Sequence, residues 1–340
     1  MKKILFISGC LSVLFTACKR ELSDDFTRYT NNALNDTVWL KNVNTTTSVN
    51  ELLSSLLPKI VIDSFDVSKD TTLTYGDSLS VAFTAGSCVG SNANGGSPGT
   101  AASGKVLLEI VRIKTKGDHI KAFKATTSNG YLLESAGGFF VRVIKDGREQ
   151  VLAPGASFKI RFSDSEDPKI NMQAFYGKEG SPFPSINLID TGFTWQRSTD
   201  TSWLVTFQKQ IASGSIVKGY ELKATSLRWI AAERYTDSTK AKTKITAIMS
   251  PNYTNKTTAV FAVFANQKTV VYLAPDYASR SYAANNIPIG SKITLLSFSK
   301  IGADFYMGIK EINDVGRVTS YTITPEKTTL VNILTFLNTL

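Results

Sequence analysis

Apolar residues along most of the chain recur at every second position, in short segments separated by turn-forming residues. Such alternation is typical of strands with one buried face, and fully apolar runs are typical of strands buried on both faces. The pattern predicts a mainly β fold class with two β-sandwich-like domains. The segments with this pattern are 60–67, 79–84, 106–113, 131–134, 138–144, 157–162, 203–207, 244–249, 259–264, 269–273, 292–298 and 305–309.

Two segments have a helical period instead. Ser48 and Glu51 have the spacing of a capping box, and leucines follow them up to Pro58, which predicts a short N-terminal helix. Residues 324–326 open a predicted C-terminal helix in which Leu330, Ile333, Leu334 and Leu337 share one face. We interpret that face as packing against the core rather than against a partner.

The start of the chain is predicted to be a targeting signal rather than part of the fold. Two lysines follow Met1, and residues 4–17 are almost uniformly apolar. The run is shorter than the roughly 20 residues that a spanning helix needs, so it indicates a secretory signal over residues 1–17. Residues 14–18 resemble the lipobox of bacterial lipoprotein precursors, which implies that Cys18 is lipidated and becomes the mature N-terminus. An ordinary signal peptide cleaved elsewhere is the alternative.

Residues 18–47 are mostly polar and show no sustained period, which predicts a tether between anchor and body. A basic residue followed by acidic ones after Cys18 is similar to the surface-export signals of Bacteroidota lipoproteins. The expected location is therefore the outer membrane, through a lipid anchor, on the periplasmic or the cell-surface face.

The body divides, on composition, into a domain at 48–167, a linker at 168–201 rich in Pro, Gly, Ser and Asn, and a second β domain with a C-terminal helix at 202–340. Residues 104–162 resemble the ZU5-type β module and similar modules of Bacteroidota lipoproteins. The resemblance implies a β-sandwich interaction module. Self-cleavage of the kind known in some ZU5 proteins is not implied, because Ile120 and Lys121 follow His119.

Charge and residue counts exclude several classes of site. The chain has 38 Lys and Arg, 28 Asp and Glu, one His and three Cys, a formal charge of +10. One histidine cannot build a multi-histidine metal site, and three cysteines cannot build a four-cysteine zinc site. After cleavage before Cys18 only Cys88 remains as a free thiol, so no internal disulfide is expected. Basic residues are scattered, and those at 240–244 alternate as on a strand edge, so no nucleic-acid partner is predicted.

The remaining polar clusters indicate no catalytic residue, no metal site and no cofactor. Residues 86–104 predict a mobile loop without a phosphate-binding motif, and Cys88 in it is expected to be inert. His119 is expected in an exposed turn. Asp164, Glu166 and Asp167 indicate a solvated loop, with calcium binding as the alternative.

Three functions follow from this inventory. The first is a non-enzymatic binding or scaffold protein, held on the membrane through Cys18, with an extracellular protein or polysaccharide as partner. The alternatives are a surface glycan hydrolase with an unidentified carboxylate pair and a carbohydrate-binding accessory lipoprotein. The four tryptophans are expected mainly in the core, with a sugar-stacking surface as the alternative; they are Trp39, Trp195, Trp203 and Trp229.

Overall fold

The computed structural model describes residues 33–44, 46–90, 99–163, 166–180, 192–210, 214–236, 239–316 and 319–340. The predicted signal sequence at 1–17 and Cys18 lie outside these residues. The chain separates into two units, Met1–Asp36 and Thr37–Leu340. In the first unit the described part contains a 3₁₀ turn at Ala33–Asn35.

The described residues of the second unit form many strands and few helices, so the predicted mainly β class is confirmed. The strands are β1 (Val61–Asp66), β2 (Thr71–Thr74), β3 (Leu79–Phe83), β4 (Cys88–Gly90), β5 (Lys105–Ile113), β6 (Thr127–Ser128), β7 (Tyr131–Lys145), β8 (Arg148–Leu152), β9 (Phe158–Ser163), β10 (Gln173–Lys178), β11 (Thr194–Arg197), β12 (Trp203–Gln210), β13 (Ile216–Ala224), β14 (Arg228–Tyr235), β15 (Lys242–Ile248), β16 (Thr258–Phe264), β17 (Val270–Asp276), β18 (Ser281–Pro288), β19 (Ile293–Ile301), β20 (Asp304–Ile312), β21 (Ser320–Thr322) and β22 (Glu326–Thr328). The helices are α1 (Ser48–Leu56), α2 (Lys116–Lys121) and α3 (Leu330–Leu337).

Two antiparallel sheets pack face to face as a sandwich. The larger sheet runs β1-β5-β7-β14-β10-β11 with β4, β6 and β8 attached, and the smaller, five-stranded sheet runs β12-β13-β9-β3-β2. Alternate residues of both sheets point into a shared core, as period-two patterning requires. Phe83 stacks on Phe65 and Phe158 at ring-centre distances of 4.7 and 5.1 Å in that core.

A third, eight-stranded sheet runs β21-β15-β18-β17-β16-β19-β20-β22. Every residue of β16 is buried, because both of its faces are covered. Val260 and Ala262 pack on one side, and Phe261 and Val263 pack on the other side with α1 and α3. The continuous apolar run in the sequence therefore marks a strand between two cores.

Both predicted helices exist, but their starts differ from the prediction. Helix α1 begins at Ser48, yet its N-cap is Thr47 and no side chain caps it, so the predicted capping box is wrong. Helix α3 begins at Leu330 rather than near Pro325, because residues 326–328 pair with β20 as strand β22. The Thr329 hydroxyl accepts a hydrogen bond from the Asn332 amide and supplies the cap.

The sheets do not divide where the composition changes. Strands β10 and β11 lie within the predicted linker at 168–201 but extend the large sheet beyond β14. Strands β12 to β14 lie in the predicted second domain but complete the sandwich. Helix α1, predicted in the first domain, packs on the third sheet. The predicted boundaries at 167 and 202 are therefore wrong, because the cross-strand pairing is between residues distant in sequence.

The predicted tether at 18–47 is also too long. Trp39 is 7% exposed and contacts Tyr282 at a ring-centre distance of 5.1 Å. The Asn255 side chain hydrogen-bonds both the amide and the carbonyl of Leu40, at 3.0 and 2.6 Å. The chain is thus fixed to the third sheet from about Trp39 onward, since a buried indole and two backbone bonds hold it there.

Two turns have the local conformation that their residues favour. Asp146 and Gly147 have φ angles of 49° and 72° and join β7 to β8, as a type I′ hairpin requires. Residues Gly76–Ser78 form a 3₁₀ turn before β3. Across the described residues, no helix combines the length and apolarity that crossing a membrane demands.

Candidate functional site

Three of the four tryptophans belong to the core. Trp39, Trp195 and Trp229 are 7, 0 and 5% exposed, and Trp203 alone is half-buried, on the outer face of the five-stranded sheet. Trp195 and Trp229 pack with Phe175 against the second face of the large sheet. They serve packing, and a sugar-stacking surface made of tryptophans is absent from the described part of the chain.

Two tyrosines take the exposed position instead. Tyr131 is 59% and Tyr235 is 45% exposed, and their rings lie 6.2 Å apart at an angle of 88°. Together they form two walls of a cavity of about 300 Å³. Leu132, Lys242, Asn286 and Pro288 contribute to the remaining lining. We call this the tyrosine cavity.

The hairpin between β6 and β7 positions Tyr131. Asn129 and Gly130 at its tip have φ angles of 48° and 82°, the left-handed pair that a type I′ turn needs. Tyr131 is the first residue after the turn, and Tyr235 is the last residue of β14, which pairs with β7. The cavity therefore lies where two neighbouring strands of the large sheet end.

A β-bulge brings the third sheet to the same place. Between β15 and β18 the register shifts, so that Lys244 faces both Asn285 and Asn286. Asn286 has a φ of 63°, and its side-chain amide donates a 2.9 Å hydrogen bond to the Gly130 carbonyl. The bulge thus aims the Asn286 amide group at the hairpin that carries Tyr131.

The polar groups around the tyrosines are few and fixed. The Lys242 ammonium lies 5.7 Å from the centre of the Tyr131 ring, within cation–π range. The Tyr235 hydroxyl is 3.2 Å from the Ser128 hydroxyl, and Phe175 packs on the Tyr235 ring at 5.6 Å. The cavity combines two aromatic faces with an ammonium and an amide, and no carboxylate is among its described lining residues.

A buried acid lies on the same strand, two residues before Tyr235. Glu233 is 0% exposed, and neither carboxyl oxygen has an aligned hydrogen-bond partner. Burial raises its pKa to about 8, and the nearby Ser135 hydroxyl lowers the pKa only in small part. Glu233 and Ser135 face each other at the bulge where the register between β7 and β14 shifts. Glu233 is therefore a neutral acid at pH 7, closed off from solvent.

His119 is buried, so the prediction of an exposed turn is wrong. Residues Lys116–Lys121 form α2, capped by the reciprocal hydrogen bonds of Thr115 and Asp118. His119 is 1% exposed, and its Nδ1 lies 2.8 Å from the Lys124 carbonyl. Burial lowers the His119 pKa to about 4. The imidazole is a neutral structural group.

The segment at 86–104 is partly ordered by pairing. Cys88–Gly90 form β4, which pairs with β8, and the predicted mobile loop is wrong for these residues. Residues 91–98 lie outside the described part. The Cys88 thiol is buried, and burial raises its pKa. Burial and a raised pKa both disfavour the thiolate, which is the reactive form of a cysteine.

The acidic cluster contacts lysines. Glu166 lies 3.2 Å from Lys169, and Asp167 lies 2.7 Å from Lys218, while Asp164 lies outside the described residues. Within the ranges that the structure describes, no three His, Cys, Asp or Glu side chains are grouped so as to hold a metal ion.

Comparison with known proteins adds no relative. No family model matches the chain, no curated protein matches it, and no solved structure matches it.

Proposed function

We propose that this chain is a lipid-anchored, non-enzymatic binding protein of the outer membrane, on the periplasmic or cell-surface face, and that the tyrosine cavity binds a sugar ring. The proposed anchor is Cys18, for which the lipobox-like residues 14–18 are the support. The proposed ligand follows from the cavity, and the exposed right-angled pair of Tyr131 and Tyr235 is the observation that carries it.

A sugar ring suits this pair for a chemical reason. The C–H faces of a pyranose are apolar and pack on aromatic rings, while its hydroxyls need hydrogen-bond partners at the edge. Tyr131 and Tyr235 supply the rings, and Lys242 and Asn286 supply polar groups. A volume of about 300 Å³ is at the small end for ligand cavities, which favours one or two sugar units.

Hydrolysis of the bound sugar is the second candidate, and the cavity favours binding. Glycoside hydrolysis uses two carboxyl groups about 5 to 9.5 Å apart on either side of the bond. None of the described lining residues is acidic, and Glu233 is buried away from solvent. Product release from a bound oligosaccharide would overturn the non-enzymatic assignment.

The binding proposal is tested by removing the two rings. We expect Tyr131→Ala and Tyr235→Ala each to weaken binding of a sugar selected on a glycan array by about tenfold or more, or about 1.4 kcal/mol. Tyr277→Ala removes a tyrosine of similar exposure, 52%, outside the cavity, and should leave the affinity unchanged. Titration calorimetry on the mature chain measures the affinities of the wild type and the three variants. Equal affinities for all three variants and the wild type would contradict the assignment.

The anchor has a separate test. Replacing Cys18 by Ala should prevent incorporation of labelled palmitate and release the protein from the membrane fraction. A variant that remains membrane-bound at unchanged size would refute the lipoprotein assignment without bearing on the tyrosine cavity.

A further inference from the structure

The outer face of the five-stranded sheet carries a second set of aromatic and cationic side chains, of which the aromatic ones are half-buried. In β9 and β13, Phe158, Ile160 and Leu222 point into the sandwich core, so the alternate residues point outward. The same holds for β12, in which Leu204 packs inward. The outward set also contains Val205, which is 49% exposed, and we call its charged and aromatic members the basic face: Lys159, Arg161, Trp203, Phe207, Lys209, Glu221 and Lys223.

Strand register arranges the basic face in rows. Lys159 pairs with Lys223, which pairs with Trp203 in the next strand. Arg161 pairs with Glu221 in the adjacent row. Neighbouring strands are about 4.8 Å apart and same-face residues on one strand about 7 Å apart, so the cations stand on a fixed grid.

Each central cation is held in place by an aromatic ring and a shared carboxylate. The Lys159 ammonium lies 5.7 Å from the Trp203 ring, and the Arg161 guanidinium lies 5.1 Å from the Phe207 ring. Glu221 accepts a 2.9 Å hydrogen bond from Arg161 Nε and lies 3.7 Å from the Lys159 ammonium. One carboxylate serves two cations, so the face keeps surplus positive charge even before Lys209 and Lys223 are considered.

A groove of about 280 Å³ begins beside Arg161 and crosses toward β2. Hydroxyl groups of Thr72, Thr74 and Ser80 line one side, and Arg161 and Lys209 line the other. Asp77 is the one carboxylate among its described lining residues. The groove thus offers hydroxyl partners and positive charge along the same path.

We propose that the basic face binds an acidic polysaccharide, a sugar chain bearing carboxylate or sulfate groups. The sugar hydroxyls bond to the threonine and serine side of the groove, and the acidic groups pair with Arg161 and Lys209 through charge-assisted hydrogen bonds. This partner differs from that of the tyrosine cavity, and the two proposals stand independently.

The aromatic residues favour a polysaccharide over single-stranded nucleic acid. Nonspecific binding of single strands depends on bases stacking on open aromatic faces. On the basic face, Lys159 and Arg161 already lie over Trp203 and Phe207. The rings therefore orient cations, which suits a ligand that presents acidic groups along its length.

The test compares the double variant Arg161→Gln/Lys209→Gln with a control of equal charge change, Lys105→Gln/Lys310→Gln, whose lysines are exposed on β5 and β20. Biolayer interferometry on the mature chain measures binding to polygalacturonate, dextran sulfate, neutral dextran and oligo-dT. We expect polygalacturonate or dextran sulfate to bind the wild type and control alike, and the double variant at least about tenfold more weakly. Neutral dextran, whose uncharged rings have no charged partner on the basic face, should bind the wild type and the double variant alike.

Four results would overturn the proposal: no binding of either acidic polymer, equal loss in the control, a loss of neutral dextran binding in the double variant equal to its loss of acidic polymer binding, or tighter binding of oligo-dT than of both acidic polymers. Arg161→Lys separates charge from folding, because it keeps the cation and should retain at least half of the affinity. The Tyr131→Ala variant should bind the acidic polymers normally.

Discussion

The buried carboxyl of Glu233 makes the stability of the protein depend on pH in a predictable direction. Its pKa rises from 4.5 in an exposed chain to about 8 in the fold, because burial penalises the charged form. The unfolded chain therefore releases the proton first as the pH rises. From about pH 4.5 to 8 the native state binds more protons than the unfolded state, and stability falls with pH.

The magnitude follows from the interval between the two pKa values. Each unit of pH above 4.5 costs about 1.4 kcal/mol until the native carboxyl ionises. At pH 7 the cost is about 3 kcal/mol, and above pH 8 it levels off near 5 kcal/mol. Glu233→Gln keeps the size of the side chain and removes the ionisation. The variant should match the wild type near pH 4 and exceed it by about 3 kcal/mol at pH 7.

Urea unfolding followed by tryptophan fluorescence at pH 4, 5, 6, 7 and 8 measures the difference directly. Subtracting the two curves removes the contribution of every other titrating group, His119 included. Glu311→Gln, which removes an exposed carboxyl on β20, is the matched control for the loss of one acidic side chain. A Glu233→Gln variant that is less stable than the wild type at pH 7, or a difference that does not grow with pH, would refute the reasoning.

Two further predictions concern the buried His119 and the tightly packed Gly177. His119 is neutral in the fold, with a pKa of about 4 against 6.5 when exposed, so the free energy of unfolding should fall as the pH drops from 6.5 to 4. His119→Gln should remove this loss of stability in urea unfolding at a series of pH values. A dependence of stability on pH that is unchanged in the variant would contradict the prediction. A Cβ on Gly177 would lie 2.5 Å from both the Phe193 ring and the Trp229 Cβ, so Gly177→Ala should lower the Tm by several degrees. Gly90→Ala, where the Cβ meets nothing within 4 Å, should leave the Tm near that of the wild type, and equal shifts would argue against a tight fit at Gly177.

Local pattern predicted many of the strands, though not β13, β14 or β18, and it did not predict the sheets to which they belong. The alternation at 157–162 and the apolar run at 259–264 correspond to β9 and β16. Pairing joins β9 to β13 and β14 to β7 across long stretches of chain, and periodicity holds no information about such partners. Strand β10 was not predicted, because its six residues lie between glycine- and proline-rich segments and were assigned with them to a linker.

Local pattern likewise predicts only part of the tyrosine cavity. Asn129 and Gly130 are a recognisable hairpin turn, and an exposed aromatic after it was the available signal for Tyr131. Tyr235 and Asn286 reach the cavity through pairing with β7 and through a bulge in β18, neither of which leaves a local pattern. His119 was misplaced because Thr115 and Asp118 form a capping box with aspartate in the position that glutamate or glutamine usually occupies.

The most direct test of the proposed function is a crystal structure of the mature chain with the oligosaccharide selected on the glycan array. We predict a pyranose ring packed against the Tyr131 and Tyr235 rings, with hydroxyls hydrogen-bonded to Lys242 or Asn286. A sugar bound elsewhere on the molecule, with the tyrosine cavity empty, would contradict it.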